Sequence, residues 1–202
     1  MSIITLQVGQ CGNQIGGQLF QLLADDLDIS LPAWGPADQV ASYAESSRDR
    51  FFNTMETSKL GHQMNARAVM VDMEPKVIAQ TIDDAHRSGR WCYPSGQQIC
   101  QKRGSGNNWA HGFCRHGPQV EERVLEAVQR EAEKCDMLGG FLTLMSLAGG
   151  TGSGVGAFIT RCLRDNYPHS FLINQVKITS SLHFISFVSF NHVYCIFFGG
   201  AN

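Results

Sequence analysis

Phe141 to Gly156 reads FLTLMSLAGGTGSGVG, an apolar stretch that enters a loop of five glycines with hydroxyls at Thr151 and Ser153. Residues without a Cβ let successive backbone N–H groups turn into one concave nest, which anionic oxygens can approach closely. A helix opening on such a loop adds its unpaired N–H groups and the positive end of its dipole. The pattern predicts an anion site. Three readings compete for it. A P-loop needs a lysine followed by serine or threonine after the glycines, and the segment has none. Gly152, Gly154 and Ala157 fit the dinucleotide fingerprint. That fingerprint calls for an acidic residue about twenty positions on, at the end of the next strand, and no acid follows Asp165. A plain surface turn leaves the density of glycine unexplained.

Three other segments carry chemistry-bearing side chains. Gly9–Gly16 (GQCGNQIG) offers Gln10 and Cys11, the latter equally readable as a small buried thiol. Asp72 and Glu74, in VDMEP, are carboxylates at the end of an apolar run, suited to a water shell around Mg²⁺ or to a solvated turn. Gly104–Trp109 (GSGNNW) presents Asn107, an amide donor or an ordinary turn residue, and Trp109, expected as a packing anchor. Cys100, His111, Cys114 and His116 are zinc-ligand types, but they lack the closely spaced pairs of structural zinc sites, and zinc is not expected. The seven cysteines form no CxxC pair and read as reduced thiols.

The elements needed to position these residues can be read from periodicity. Ile3, Ile4, Leu6 and Val8 predict a strand, and Ile15, Leu19, Leu22 and Leu23 recur at helical spacing after it. The stretch from Asp28 to Asn65 reads mostly as surface loop, with a helical turn at Arg48–Phe52. Ala68–Val71 predicts a second strand, and Pro75 turns the chain into a short helix closed by Ser88-Gly89. Gln101–Gly117 reads as loop, and Gln119–Asp136 as an amphipathic helix ended by Gly139-Gly140, with Val124, Leu125, Val128, Ala132 and Cys135 on its apolar face. A buried strand, Phe141–Leu147, the glycine loop Ala148–Gly156 and a helix Ala157–Tyr167 follow. Strands alternating with helices predict an α/β, Rossmann-like domain: a mainly parallel sheet flanked by helices, with its ligand at the carboxyl ends of the strands.

At 202 residues the chain is long enough for one well-packed domain. Its 43% hydrophobic and 17% charged residues are those of a globular protein. A net charge of -2 supplies no general attraction to nucleic acid or anionic membranes, and neither partner is expected.

Taken together, the loops resemble those of the tubulin and bacterial FtsZ family. GGTGSG resembles its phosphate-loop signature, GQCGNQIG its first nucleotide loop, VDMEP its second and GSGNNWAHG its third, in the family's order between Ser2 and about Val176. ARAVMVDMEPKVI, the RFF triplet at Arg50 and CQKRGSGNNWA are most similar to the delta branch. Ala148-Gly149-Gly150 stands where the alpha, beta and gamma branches usually have three glycines. The resemblance implies GTP and Mg²⁺ as ligands. Gln10 and Cys11 would contact phosphate, magnesium or nucleoside, and Asn107 would donate to the terminal phosphate. Ser146, Gly150, Thr151, Gly152 and Ser153 would cradle the inner phosphates, with Ala148, Gly149 and Gly154 in the same loop. Asp72 and Glu74 would hold Mg²⁺ through water. It further implies other tubulins and microtubules as partners, and a cytoplasmic, cytoskeletal setting at centrosome, centriole, basal body and cilium.

In that family hydrolysis uses an acid from the next subunit, supplied by a segment with no counterpart here, so the chain alone is not expected to be an active GTPase. The nucleotide domain is expected over 1–176. Residues 177–202, KITSSLHFISFVSFNHVYCIFFGGAN, resemble no family segment and read as a hydrophobic tail of intronic or read-through origin. Within it Phe184–Phe190 reads as an aggregation-prone strand. A membrane span needs about twenty apolar residues, and His183, Asn191 and His192 interrupt this run. A sheet lacking its later strands is expected to leave an open edge. The alternatives are a non-polymerising isoform acting only as an interaction module, and a dinucleotide-binding oxidoreductase.

Overall fold

β1 (Ser2–Val8) is the strand on which the rest of the fold is arranged, and its alternation explains why. Ile4, Leu6 and Val8 enter one apolar core and Thr5 and Gln7 face the other way, and all five are buried. A strand buried on both faces belongs in the interior of a parallel sheet covered by helices. The computed structural model describes residues 1–28, 37–57, 61–177, 184–190 and 193–199.

In chain order β1 is followed by α1 (Gly9–Asp28), α2 (Ala37–Phe51), β2 (Phe52–Thr57), β3 (Gly61–Ala66), β4 (Ala68–Asp72) and α3 (Pro75–Ser88). Then come β5 (Trp91–Cys92), β6 (Gln98–Cys100), the single turn α4 (Trp109–His111), α5 (Gly117–Ala132), β7 (Leu138–Ser146), α6 (Gly156–Asn166) and β8 (Phe171–Lys177). β9 (Phe184–Phe190) and β10 (Val193–Gly199) complete the described elements. The main sheet has the order β10-β9-β8-β7-β1-β4-β6, and β2, β3 and β5 form a small second sheet. The five strands from β8 to β6 run parallel. β9 and β10 join antiparallel, so β8 is paired on both sides, to β7 and to β9.

Two cores flank the sheet. Val120, Val124 and Val128 of α5 and Val155 and Ile159 near α6 pack with Ile4, Leu6, Val8, Val69 and Val71 on one face. Phe20 and Ala24 of α1, Ile78 and Ala85 of α3 and Trp91 and Tyr93 pack with Ala68 and Met70 on the other. The result is the expected three-layer α/β arrangement. Pro75 opens α3, and Gly89, left-handed at φ 70°, closes it. Among the described residues no helix is long and apolar enough to cross a membrane.

Several expectations are corrected. Much of 28–65 is regular structure: α2 and the β2–β3 hairpin, whose polar sequence carries little periodicity of its own. The loop expected around Pro32, Gly35 and Pro36 lies outside the described residues, as do His183, Asn191 and His192. On α1 the buried face belongs to Phe20 and Ala24, while Leu22 is exposed. The 101–117 stretch holds α4 and a π-helical turn, Gly112–His116, that runs straight into α5. α5 ends at Ala132, and Leu125 and Cys135 are not part of its buried face. Gly139 and Gly140 lie inside β7 rather than stopping a helix. A Cβ on Gly140 would sit 2.3 Å from the Phe171 carbonyl oxygen, so glycine there permits the close approach of β8.

Candidate functional site

Strand order reverses at β1: β4 and β6 lie to one side, β7 and β8 to the other. Crevices at such switch points, beyond the carboxyl ends of the strands, are where open α/β sheets collect ligands. The turns leaving β1 and β7 meet there. Gly9, at φ 74°, directs what would be its Cβ to within 2.8 Å of the Gly152 amide nitrogen. Asn13, fully buried, fastens the first turn by donating to the Gly9 carbonyl at 2.9 Å and to the Val71 carbonyl at 3.2 Å.

The second turn ends β4. Asp72 is buried, and burial pushes its carboxyl up to about 6 although backbone N–H groups of Glu74 and Met73 oppose the shift. Glu74 reaches over the third loop, its Oε1 2.5 Å from where a Cβ on Gly104 would be. In that loop Gly106 and Asn107 are both left-handed, at φ 58° and 55°. Asparagine tolerates that conformation better than most residues, which suits the sequence to the turn. Asn108 caps α4, its Oδ1 accepting from the His111 N–H at 3.0 Å.

The fourth segment follows β7. Ser146 Oγ accepts from the Ala148 N–H at 3.0 Å, and Gly149 turns the chain at φ 82°. Thr151–Val155 winds as a π-helical turn continuous with α6, a break in regular winding that recurs at functional sites. Ser105 Oγ and Thr151 Oγ1 lie 3.0 Å apart, tying the third loop to the fourth. A Cβ on Gly150 would meet the Ser105 Cβ at 2.4 Å and the Asn108 carbonyl oxygen at 2.7 Å, so this contact requires glycine.

These turns enclose a cavity of about 580 Å³. Gln10, Cys11, Asp72, Glu74, Asn107, Ser146, Ala148, Gly149, Gly150, Thr151 and Gly152 all line it. Ser153 and Gly154 do not. The Ser153 hydroxyl donates to the Gly149 carbonyl, and Gly154 packs beneath α4, where a Cβ would be 2.4 Å from the Trp109 carbonyl oxygen. Trp109 lines nothing here: it is 49% exposed and stacks on Phe113 at 4.8 Å.

Gln14, Val77, Gly104, Ser105, Gly106 and Lys177 also line the cavity and were not singled out from sequence as site residues. Ser105 had a signal, a hydroxyl between two glycines of a motif already in view. Lys177 had one in strand alternation. Leu172 and Val176 bury one face of β8, which puts Lys177 on the other, where α1 begins. Burial pushes the Cys11 thiol up, and the Lys177 ammonium partly offsets it.

Chemically the cavity suits a phosphate-bearing ligand with a hard cation. Gly149–Gly152, where the π-helical turn leading into α6 begins, supply backbone donors, and Ser105, Thr151 and Asn107 supply side-chain groups. Asp72 and Glu74 are the two carboxylates among the lining residues. That number fits Mg²⁺, which keeps several waters and binds through one or two carboxylates plus phosphate oxygens. Among the described residues no three or more His, Cys, Asp or Glu side chains gather to hold a metal by themselves. His116 Nδ1 pairs instead with Gln101 Oε1 at 2.9 Å, and Cys114 is exposed.

A doubly flanked parallel sheet with glycine-rich turns converging at its switch point defines a nucleotide-domain architecture. Over residues 2–189 the chain matches the Tubulin/FtsZ family, GTPase domain, and it belongs to that family. It is 51% identical over 176 residues to the tubulin delta chain of Mus musculus, a match covering 87% of this chain and 38% of that protein. Identity to the tubulin delta chain of Homo sapiens is 48% over 176 residues, with the same coverage of 87% and 38%. The tubulin beta chain of Bombyx mori is 36% identical over 168 residues, covering 82% of this chain and 35% of that protein. The higher identity to the delta chains agrees with the delta-type motifs. This chain spans about 38% of the length of those delta relatives.

Proposed function

We propose that this chain binds GTP with Mg²⁺ in the cavity at the β1/β7 switch point, as the phosphate-binding part of a delta-type tubulin. The observation that carries the reading is the convergence of four separate loops, after β1, after β4, before α4 and after β7, on one cavity. Backbone N–H groups of Gly149–Gly152 and the side chains of Gln10, Asn107, Ser146 and Thr151 hold the phosphates. Asp72 and Glu74 orient the water shell of the cation, whose chemistry is to neutralise phosphate charge. Domain limits near 1–176 belong to the same proposal, with a tail of separate origin beyond whose first residue, Lys177, ends β8.

The setting is cytoskeletal, with other tubulins and microtubules as partners and the centriole, basal body and cilium as location. Support for it comes from the similarity to delta chains and from the delta-type motifs at Ala66–Ile78 and Cys100–Ala110.

The dinucleotide alternative rests on Gly152, Gly154 and Ala157. It needs an acid at the end of the strand after the loop, and β8 ends in Lys177. Competition separates the two. A fluorescent GTP analogue bound to the full chain is displaced by GTP and not by NAD under this proposal. Displacement by NAD at similar concentrations would overturn it.

A further inference from the structure

We propose that Lys177 is this chain's phosphate-neutralising cation, delivered from the strand beside the glycine loop rather than from within it. The proposal rests on the nucleotide reading above and names a ligand residue for it. The loop 148–156 carries no cationic side chain. Among the residues that line the cavity the formal charges are Asp72, Glu74 and Lys177. Without Lys177 a polyphosphate would enter a cavity whose only fixed side-chain charges repel it.

Position supports the assignment. β8 runs parallel to β7 with Lys177 opposite Ser146, and the Leu147 N–H donates to the Lys177 carbonyl at 3.1 Å. The lysine therefore stands at the carboxyl end of the sheet, where the glycine loop departs. Its direction follows from two further observations. Alternation along β8 places it on the α1 face, opposite Leu172 and Val176. Cys11 of the first turn lines the same cavity, and the Lys177 ammonium lowers its thiol against the rise from burial. No carboxylate among the described residues forms an ion pair with it. A flexible stem ending in three donors serves as a point charge for phosphate.

The test uses the full chain with Lys177→Gln and Lys177→Arg, measuring equilibrium affinity for GTP, GDP and GMP at low and moderate salt. Removing a charge-assisted contact should weaken GTP binding about tenfold or more. The loss should shrink from GTP to GMP, and the salt dependence should flatten. Lys177→Arg should keep most of the affinity. Wild-type affinity for GTP in Lys177→Gln overturns the role of Lys177 and leaves the nucleotide reading standing. An equal loss for all three nucleotides with a lowered melting temperature also overturns it, because that marks a structural residue. Failure of the unaltered chain to bind GTP or GDP overturns both.

Discussion

Ser105 and Thr151 are 46 positions apart in sequence, yet their hydroxyls meet at 3.0 Å across the seam between two loops of the cavity. Either can donate, so the pair can reorient when an anion arrives without leaving a hydroxyl unpaired. Thr151→Ala is expected to weaken GTP affinity by about 1 kcal/mol, with a smaller loss in a Ser105→Ala background because the two act through one contact. Calorimetric titration of the two single variants and the double variant measures that coupling. Strict additivity would show that the hydroxyls act independently.

Gly150 and Gly152 should separate folding from binding. A methyl at Gly150 would press on the Ser105 Cβ and on the backbone of Asn108 at 2.4 to 2.9 Å, and backbone cannot move aside. Gly150→Ala is therefore expected to lose about 2 kcal/mol of stability along with nucleotide binding. At Gly152 the nearest atoms are at 3.1 Å, a contact that a small shift relieves, while the methyl narrows the loop that lines the cavity. Gly152→Ala should keep a near-native urea midpoint and still weaken GTP binding. Equal unfolding midpoints for the two variants would contradict the assignment of Gly150 to the seam.

The chemistry-bearing loops were legible because each announces itself locally: Gly9-Gln10-Cys11 after an apolar strand, Asp72 before Pro75, Asn107 after Gly106, and the glycines from Gly149. The parallel sheet followed from the same punctuation. Other features depend on partners distant in sequence. Gly139 and Gly140 match a helix stop, yet they sit in β7, where Phe171 approaches too closely for a side chain at Gly140. α2 and the β2–β3 hairpin carry polar sequence, so their pairing outweighs their pattern. Lys177 looked like the first residue of an unrelated tail; alternation along β8 gives its face, and the register of β8 against β7 brings it level with the cavity. Glu131 of α5 carries a charged side chain, yet it is buried to 1% exposure.

That buried carboxylate is held from two sides, by Gln97 Nε2 and by Lys134 Nζ, each at 2.6 Å from Oε1. Glu131→Ala leaves the buried amide of Gln97 without its partner and opens space beneath the sheet. The expected loss is about 3 kcal/mol, with Lys134→Met costing less because the lysine is partly exposed. Urea denaturation of both variants gives the comparison. A loss under about 1 kcal/mol for Glu131→Ala would show that the network contributes little.

Asp72 makes stability depend on pH in a direction opposite to a paired carboxylate. Burial raises its folded-state pKa to about 6 from an ordinary 3.8, so between those values the folded chain holds more protons than the unfolded one. Stability from this group is present below about pH 4 and is lost as pH rises towards 6. Asp72→Asn should therefore stabilise the ligand-free chain at pH 7 and have little effect at pH 4, as read from urea midpoints. Mg²⁺ with GTP should raise the melting temperature of the unaltered chain more than that of Asp72→Asn. A pH-independent difference between variant and unaltered chain would contradict the burial argument.

Hydrogen–deuterium exchange of the full chain, with and without GTP and Mg²⁺, tests the composite site most directly. The account predicts slowed exchange, together, in peptides containing Gly9–Gly12, Asp72–Glu74, Gly104–Asn108 and Ser146–Ser153. Slowing in none of them, or in the glycine loop alone, would contradict a site built from four loops.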